Sequence, residues 1–251
     1  IDEIRKDNKD YVSQLAFLSE EGFPFYHNTG FKYYAPCENG FDEILKELNK
    51  AEKYIFMEYF IIEEGIMFNS ILSILEEKVK QGVEVRIMYD DMGSLGTLPA
   101  SYAKQLQKKG IKAVSFNRIS PIINTIMNHR DHRKILVIDG KVAFSGGANL
   151  ADEYINKKVK YGHWMDNIIC VSGKAVWSYL VMFLTNWNAL RHEDEDYTVF
   201  KNSKIVDETF FDGYIAPYAE TPLDQELTGQ SVYEDLLNSA NEYVYIMTPY
   251  L

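Results

Sequence analysis

The chain has 251 residues, 46% hydrophobic and 25% charged, which suits one large domain or two small ones with a substantial core. A formal net charge of −11 argues against a nucleic-acid binder and against whole-surface attraction to anionic lipid, while leaving room for a local basic mouth. Cys37 and Cys170 stand far apart with no CxxC or Cys/His ligand spacing, so no structural zinc is expected and free thiols in a reducing compartment are.

Taken in order, the first strong element is "YIFMEYFII" from Tyr54 to Ile62, nearly continuous apolar and aromatic, as a strand covered on both faces would be. "FNSILSILEEKVKQG" follows with Ile71, Ile74, Leu75 and Val79 at helical spacing and a stop at Gly82. "VEVRIMYDD" reads as a strand, "PASYAKQLQKKG" as a helix opening at Pro99 and closing at Gly110, and "IKAVSF" as a third strand. Strand, helix, strand, helix, strand predicts parallel strands with crossover helices.

The pattern then changes. "KILVIDGKVAFSGG" holds two short apolar runs around Asp139-Gly140, which predicts a hairpin with a tight turn. "WMDNIICVSG" is another strand, and "KAVWSYLVMFLTNWNAL" from Lys174 to Leu190 reads as a well-buried helix. The fold class expected is α/β, a mixed, largely parallel sheet with helices on both faces. No apolar run reaches the length of a membrane span and there is no signal peptide. The first residue is Ile1 rather than Met, which reads as a trimmed piece of a longer protein.

"LNSANEYVYIMTPYL" at the C-terminus echoes "LNKAEKYIFMEYF" near the start: Leu48, Asn49, Ala51 and Tyr54 match Leu237, Asn238, Ala240 and Tyr243 at an offset of 189 residues. A second copy of the unit is expected to begin there. The division this suggests is 1–190 for a first unit with its lead-in, 191–230 for a charged connector, and 231–251 for the opening of a second repeat.

The charge of the chain concentrates in "NHRDHRKILVIDGKVAFSGGANL", Asn128 to Leu150, where His132, Lys134 and Asp139 form H-x-K-x4-D. Residues i and i+2 on a strand share a face, so His132 and Lys134 can reach one bound group. Lys134 offers a compact positive charge for a phosphate oxygen, and neutral imidazole is a nucleophile when its tautomer is fixed. Asp139 falls in the turn, where it can hold the motif in shape. "SGGAN" follows, with Gly146 and Gly147 allowing close backbone approach and Asn149 offering an amide donor to an oxyanion. Asp166, in "HWMDN", is a carboxylate placed to orient the imidazole. Glu58 inside an apolar strand needs a partner or lines the site, and site lining is the favoured reading. His129, His132 and His163 match no strand-borne metal site, and His27, His163 and His192 read as surface or supporting residues.

H-x-K-x4-D followed by G-G-x-N resembles the HKD motif of the phospholipase D superfamily, and "NHRDHRKILVIDG" is most similar to the first such motif of bacterial cardiolipin synthases. "EYFI", Trp164 with Asp166, Phe183 with Asn186-Trp187, and the terminal "TPYL" extend the resemblance over nearly the whole chain. It implies a phosphatidyl transfer that turns two phosphatidylglycerols into cardiolipin and glycerol, with no metal or cofactor. His132 would form the phosphohistidine, Lys134 and Asn149 with Gly147 would hold the phosphate, and Asp166 would orient the imidazole.

The family's second HKD motif is absent; one offset beyond His132 places it at about position 321. The family's N-terminal membrane helices are absent too. The chain therefore reads as a soluble first catalytic half of a bacterial membrane enzyme, partnered by phospholipid, the membrane surface, and its missing half or a second copy. Asp131, where the family pattern leads one to expect asparagine, puts a negative charge beside an anionic substrate. Two other readings remain open: a homodimeric HKD phosphodiesterase or nuclease, and a non-catalytic domain that binds lipid headgroups.

Overall fold

A computed structural model describes residues 12–27, 29–116, 130–202, 213–220 and 227–248. Asn128 and His129 of the basic stretch, and Pro249 to Leu251 of the terminal echo, lie outside the described residues. The chain forms two compact units, Ile1–Tyr26 with Tyr214–Leu251, and His27–Gly213.

The larger unit is built on a seven-stranded sheet: β1 (Gly30–Tyr34), β2 (Tyr54–Tyr59), β3 (Glu84–Asp90), β4 (Lys112–Phe116), β5 (Ile135–Ile138), β6 (Val142–Gly146) and β7 (Ile168–Ser172), in the order β1-β7-β6-β5-β2-β3-β4. Its helices are α1 (Glu38–Asn49), α2 (Ile66–Lys80), α3 (Tyr102–Lys108) and α4 (Val176–Arg191).

The sheet is mixed, as expected, with parallel strands β2, β3 and β4 joined through α2 and α3. Its other half differs from the expectation of a largely parallel sheet, because four of the six pairings are antiparallel. The reason is local: the tight turn at Asp139-Gly140, closed by Lys141 N donating to the Ile138 carbonyl at 2.9 Å, folds β5 back on β6 as a hairpin, and no crossover helix separates β6 from β7. Asp139 and Gly140 both take positive φ, 53° and 62°, as such a turn requires.

Period-two alternation divides the core. Ile55, Met57 and Tyr59 of β2 pack with Ile44 and Leu48 of α1, Phe68 and Ile71 of α2, and Leu106 of α3. On the opposite face Phe56 stacks on Phe183 of α4 at 5.1 Å between centroids. Helices therefore cover both faces, and β2 and its neighbour β5 are buried at every position. Among the described residues both cysteines are free and buried, and burial pushes each thiol up to about 12.

In the smaller unit, a helix Val12–Glu20 and a helix Thr228–Ser239 are linked where Ser13 Oγ donates to Asp235 at 3.4 Å, and Tyr26 pairs with Ile215. After the second helix, residues 240–248 carry no strand pairing among the described residues.

Candidate functional site

The parallel strands end at Tyr59, Asp90 and Phe116, and β5, antiparallel to β2, begins at that same end, with Ile135 opposite Glu58. Residues 130–134 therefore enter the sheet at the carboxyl ends of the parallel strands, where open α/β sheets bind ligands. Alternation sorts them. Leu136 lies opposite Met57, whose side faces α1 and α2, and Ile135 lies opposite Glu58, whose side faces α4.

His132 and Lys134 come together, as the spacing predicted. The His132 ring meets the Phe60 ring edge-on at 4.9 Å, and the Lys134 ammonium lies 5.6 Å from the centre of that ring. Lys134 is buried, and Nζ donates to the carbonyl of His132. Burial lowers the Lys134 ammonium to about 8, against the pull of Asp131 and Asp166, which raise it. His132 is exposed, but partial desolvation and then the Lys134 charge hold its imidazole below the ordinary histidine value of 6.5. An uncharged imidazole thus stands beside a cation that still carries most of its charge at neutral pH.

Asp131 and Arg133 belong to a second network, joined to Glu58. Arg133 Nη2 lies 3.1 Å from Glu58 Oε1 and its Nε 3.0 Å from Asp131 Oδ1, while Asn186 of α4 donates to Glu58 Oε1 at 2.8 Å. Burial, then the hydrogen bond and charge of Asp131, push the Glu58 carboxyl well above the usual range; Arg133 and Asn186 pull the other way. A protonated Glu58 can donate to Asp131, which is held below its ordinary value despite burial by that bond and by Arg133. The charge at Asp131 that looked adverse for an anionic substrate is thereby neutralised by Arg133. The backbone N–H of Asp131 donates in turn to Asp90 Oδ2 at 3.1 Å, so the residue before His132 is tied to β3 and the one after it to β2. Sequence reasoning did not find Asp90 or Arg133, and it met Asn186 only within the resemblance, without a role; the period-two spacing of Asp131 and Arg133 around His132 was the available signal.

The other expected residues fall into two groups. Asp166 stands near the site, accepting from the indole of Trp164 at 3.3 Å and from its neighbour Asn167 N at 2.7 Å, but makes no hydrogen bond to His132. Gly147 is what lets it approach, since a Cβ there would lie 2.2 Å from Asp166 Oδ1. Asn149 is buried, with its carbonyl accepting from Ile61 N at 3.0 Å and its amide donating to the Tyr154 hydroxyl at 2.8 Å, so it braces the loops around the site.

Asp139, joined to His132 and Lys134 by the motif, is at the opposite end of β5. Its buried carboxylate accepts the N–H groups of Glu52, Lys53 and Tyr54 at 2.9, 2.8 and 2.9 Å. A strand of four residues separates it from the pair, so its place in the motif is structural. Among the described residues no group of histidine, cysteine and carboxylate side chains could hold a metal ion.

Residues 44–180 match the family model of the cardiolipin synthase, PLD-like domain. The chain belongs to that family. A Streptococcus mutans protein of uncharacterised function is 52% identical over 230 residues, covering 92% of this chain and 50% of that protein. A cardiolipin synthase of Oceanobacillus iheyensis is 31% identical, covering 97% of this chain and 50% of the relative, and one of Staphylococcus aureus is 33% identical, covering 94% and 52%. The chain thus spans about half the length of the curated relatives it matches. The phosphatidylserine synthase of Haemophilus influenzae superposes with a TM-score of 0.51 at 15% identity, over 75% of this chain and 46% of that one, a likeness of fold.

Proposed function

We propose that this member of the cardiolipin synthase, PLD-like domain family supplies the nucleophile-bearing half of a phosphatidyltransferase that makes cardiolipin and glycerol from two phosphatidylglycerols. The observation that carries the reading is the neutral His132 imidazole paired with a buried, cationic Lys134 at the carboxyl ends of the parallel strands. The imidazole attacks the phosphorus, a nitrogen–phosphorus bond forms, and the bond to the headgroup glycerol breaks. Lys134 meets the phosphate oxygens as charge builds on them. The departing glycerol oxygen takes its proton from a general acid that a second HKD motif brings, in the rest of a longer chain or in a second copy. The hydroxyl of another phosphatidylglycerol gives a proton back to that group and attacks the phosphorus, freeing His132. Asp166, brought close by Gly147, is the carboxylate available to orient the imidazole when substrate closes the site. The lipids and the membrane surface are partners in this reading.

Mass spectrometry of the lipids formed from phosphatidylglycerol vesicles tests it, with wild-type protein and His132→Ala, each carried in the full-length protein. Cardiolipin from the wild type and at least about a thousandfold less from the variant is expected. Phosphatidic acid as the sole product would make the protein a phosphodiesterase instead. Equal product from both proteins would overturn the assignment of His132.

A further inference from the structure

Among the described residues of His27–Gly213, nine large apolar side chains are exposed; five of them, Met92, Leu95, Val159, Tyr161 and Met165, lie in connections at the His132 end of the sheet, and Ile66 opens α2 there. Single exposed apolar residues are ordinary. The segment "NKKVKYGHWMD" from Asn156 to Asp166 is not, because three lysines alternate there with the most exposed of these side chains. Val159 is 84%, Tyr161 82% and Met165 71% exposed. The same eleven residues hold one aspartate, in a chain whose net charge is −11.

The loop has a built neck. Asn156 adopts the left-handed conformation at φ 54°, its amide donates to the Trp164 carbonyl at 3.0 Å, and Trp164 N donates back to Asn156 Oδ1 at 2.7 Å. The Trp164 ring packs between Tyr154 at 5.1 Å and Tyr161 at 6.1 Å, and its indole N–H reaches Asp166 beside the site. A fixed base therefore presents exposed tips next to the His132 mouth. Lys158 and Lys160 pair with Glu63 and Glu153.

We propose that the loop Asn156–Trp164 is the element by which this unit lies on an anionic bilayer, Val159 and Tyr161 entering the headgroup layer while Lys157 meets lipid phosphates and Lys158 and Lys160 stay braced by Glu63 and Glu153. The argument is compositional and geometric. Protein–protein contacts are depleted in lysine at their centres, whereas an interfacial segment combines lysines with aromatic and aliphatic tips. Lysine stems can also cover apolar surface while their charge stays at phosphate level. The significance of the loop's place rests on the site acting on bilayer lipid: docking here brings the His132 mouth to the headgroups. The docking itself does not need turnover.

Flotation with vesicles of phosphatidylcholine alone and of phosphatidylcholine with phosphatidylglycerol tests this. Wild-type protein is expected to float with the anionic vesicles and to be released by salt. Lys157→Ala is expected to weaken binding about fivefold, and Val159→Asp tenfold or more, with unchanged circular dichroism and thermal transition because these side chains are exposed and outside the neck. His132→Ala should bind like the wild type, which separates docking from headgroup capture in the site. Equal flotation with both kinds of vesicle, or loop variants that bind anionic vesicles as well as the wild type, would overturn the proposal. So would a loop variant that converts a self-associated chain to monomer, since the loop would then join copies. Vesicle binding by the full-length protein without lipid product would leave docking intact and count against the transferase reading alone.

Discussion

Two stretches of this chain have nearly the same pattern and opposite fates. Tyr54 to Tyr59, "YIFMEY", is a strand buried at every position, with β3 on one side and β5 on the other. Tyr243 to Thr248, "YVYIMT", lies 189 residues later, after a helix that ends in the same way, yet among the described residues it forms no strand and its side chains are exposed. The difference lies outside both segments. β2 has ladder partners on both edges and helices over both faces, while residues 240–248 belong to the smaller unit, which forms no sheet among its described residues. An apolar run with β propensity asks for neighbours, and only their presence makes it a strand.

Removing the packing that distinguishes the two should have the largest effect. Phe56 is fully buried, stacked on Tyr54 at 4.6 Å and on Phe183 at 5.1 Å, with the Arg86 guanidinium 4.7 Å from its ring centre. Phe56→Ala is expected to lower stability by about 3 to 5 kcal/mol in chemical denaturation. Its counterpart by offset is Tyr245, 84% exposed, and Tyr245→Ala should change stability by about 0.5 kcal/mol or less. A large loss at Tyr245 would show that the second segment is packed in solution.

The start of β2 offers the next break. Asp139 gathers the N–H groups of Glu52, Lys53 and Tyr54 and so fixes the point where the chain enters the sheet. No described carboxylate does the same for Asn241, Glu242 and Tyr243. Asp139→Asn tolerates the left-handed turn but turns one acceptor oxygen into a donor facing N–H groups, and about 2 kcal/mol of stability should be lost. Amide exchange should quicken at Glu52 to Tyr54 and stay unchanged at Asn241 to Tyr243.

How much of this could be read beforehand divides along the same line. The shared side of His132 and Lys134 follows from a period of two, and the burial of Tyr54 to Tyr59 from an unbroken apolar run, because both are properties of neighbouring residues. Pairing order is not: that β7 lies between β1 and β6 depends on residues far apart in sequence. Side-chain commitments were hidden for the same reason. Asn149 looked like a free donor until Ile61 and Tyr154 were seen to occupy both ends of its amide, and Asp131 looked adverse until Arg133 was found bonded to it.

The next-to-last residues of the two stretches sharpen the comparison with the smallest effect. Met247, the offset counterpart of Glu58, is exposed, whereas Glu58 is fully buried with a carboxyl raised above 4.5 by burial and by Asp131. Near pH 4.5 the folded chain carries this acid protonated, and Gln imitates it, so Glu58→Gln should change stability there by about 1 kcal/mol or less. As pH rises above 4.5 the unfolded chain gives up the proton that the folded chain retains, so the wild type loses stability until pH passes the raised folded value. The variant lacks that slope and should gain on the wild type over the same range. Asp131 cannot supply the difference, because its lowered value acts in acid below 3.8. Denaturation midpoints of both proteins at pH 4.5 and 7 decide it: a constant difference would mean that Arg133 keeps Glu58 ionised, and that the network around His132 holds a full negative charge at each carboxylate.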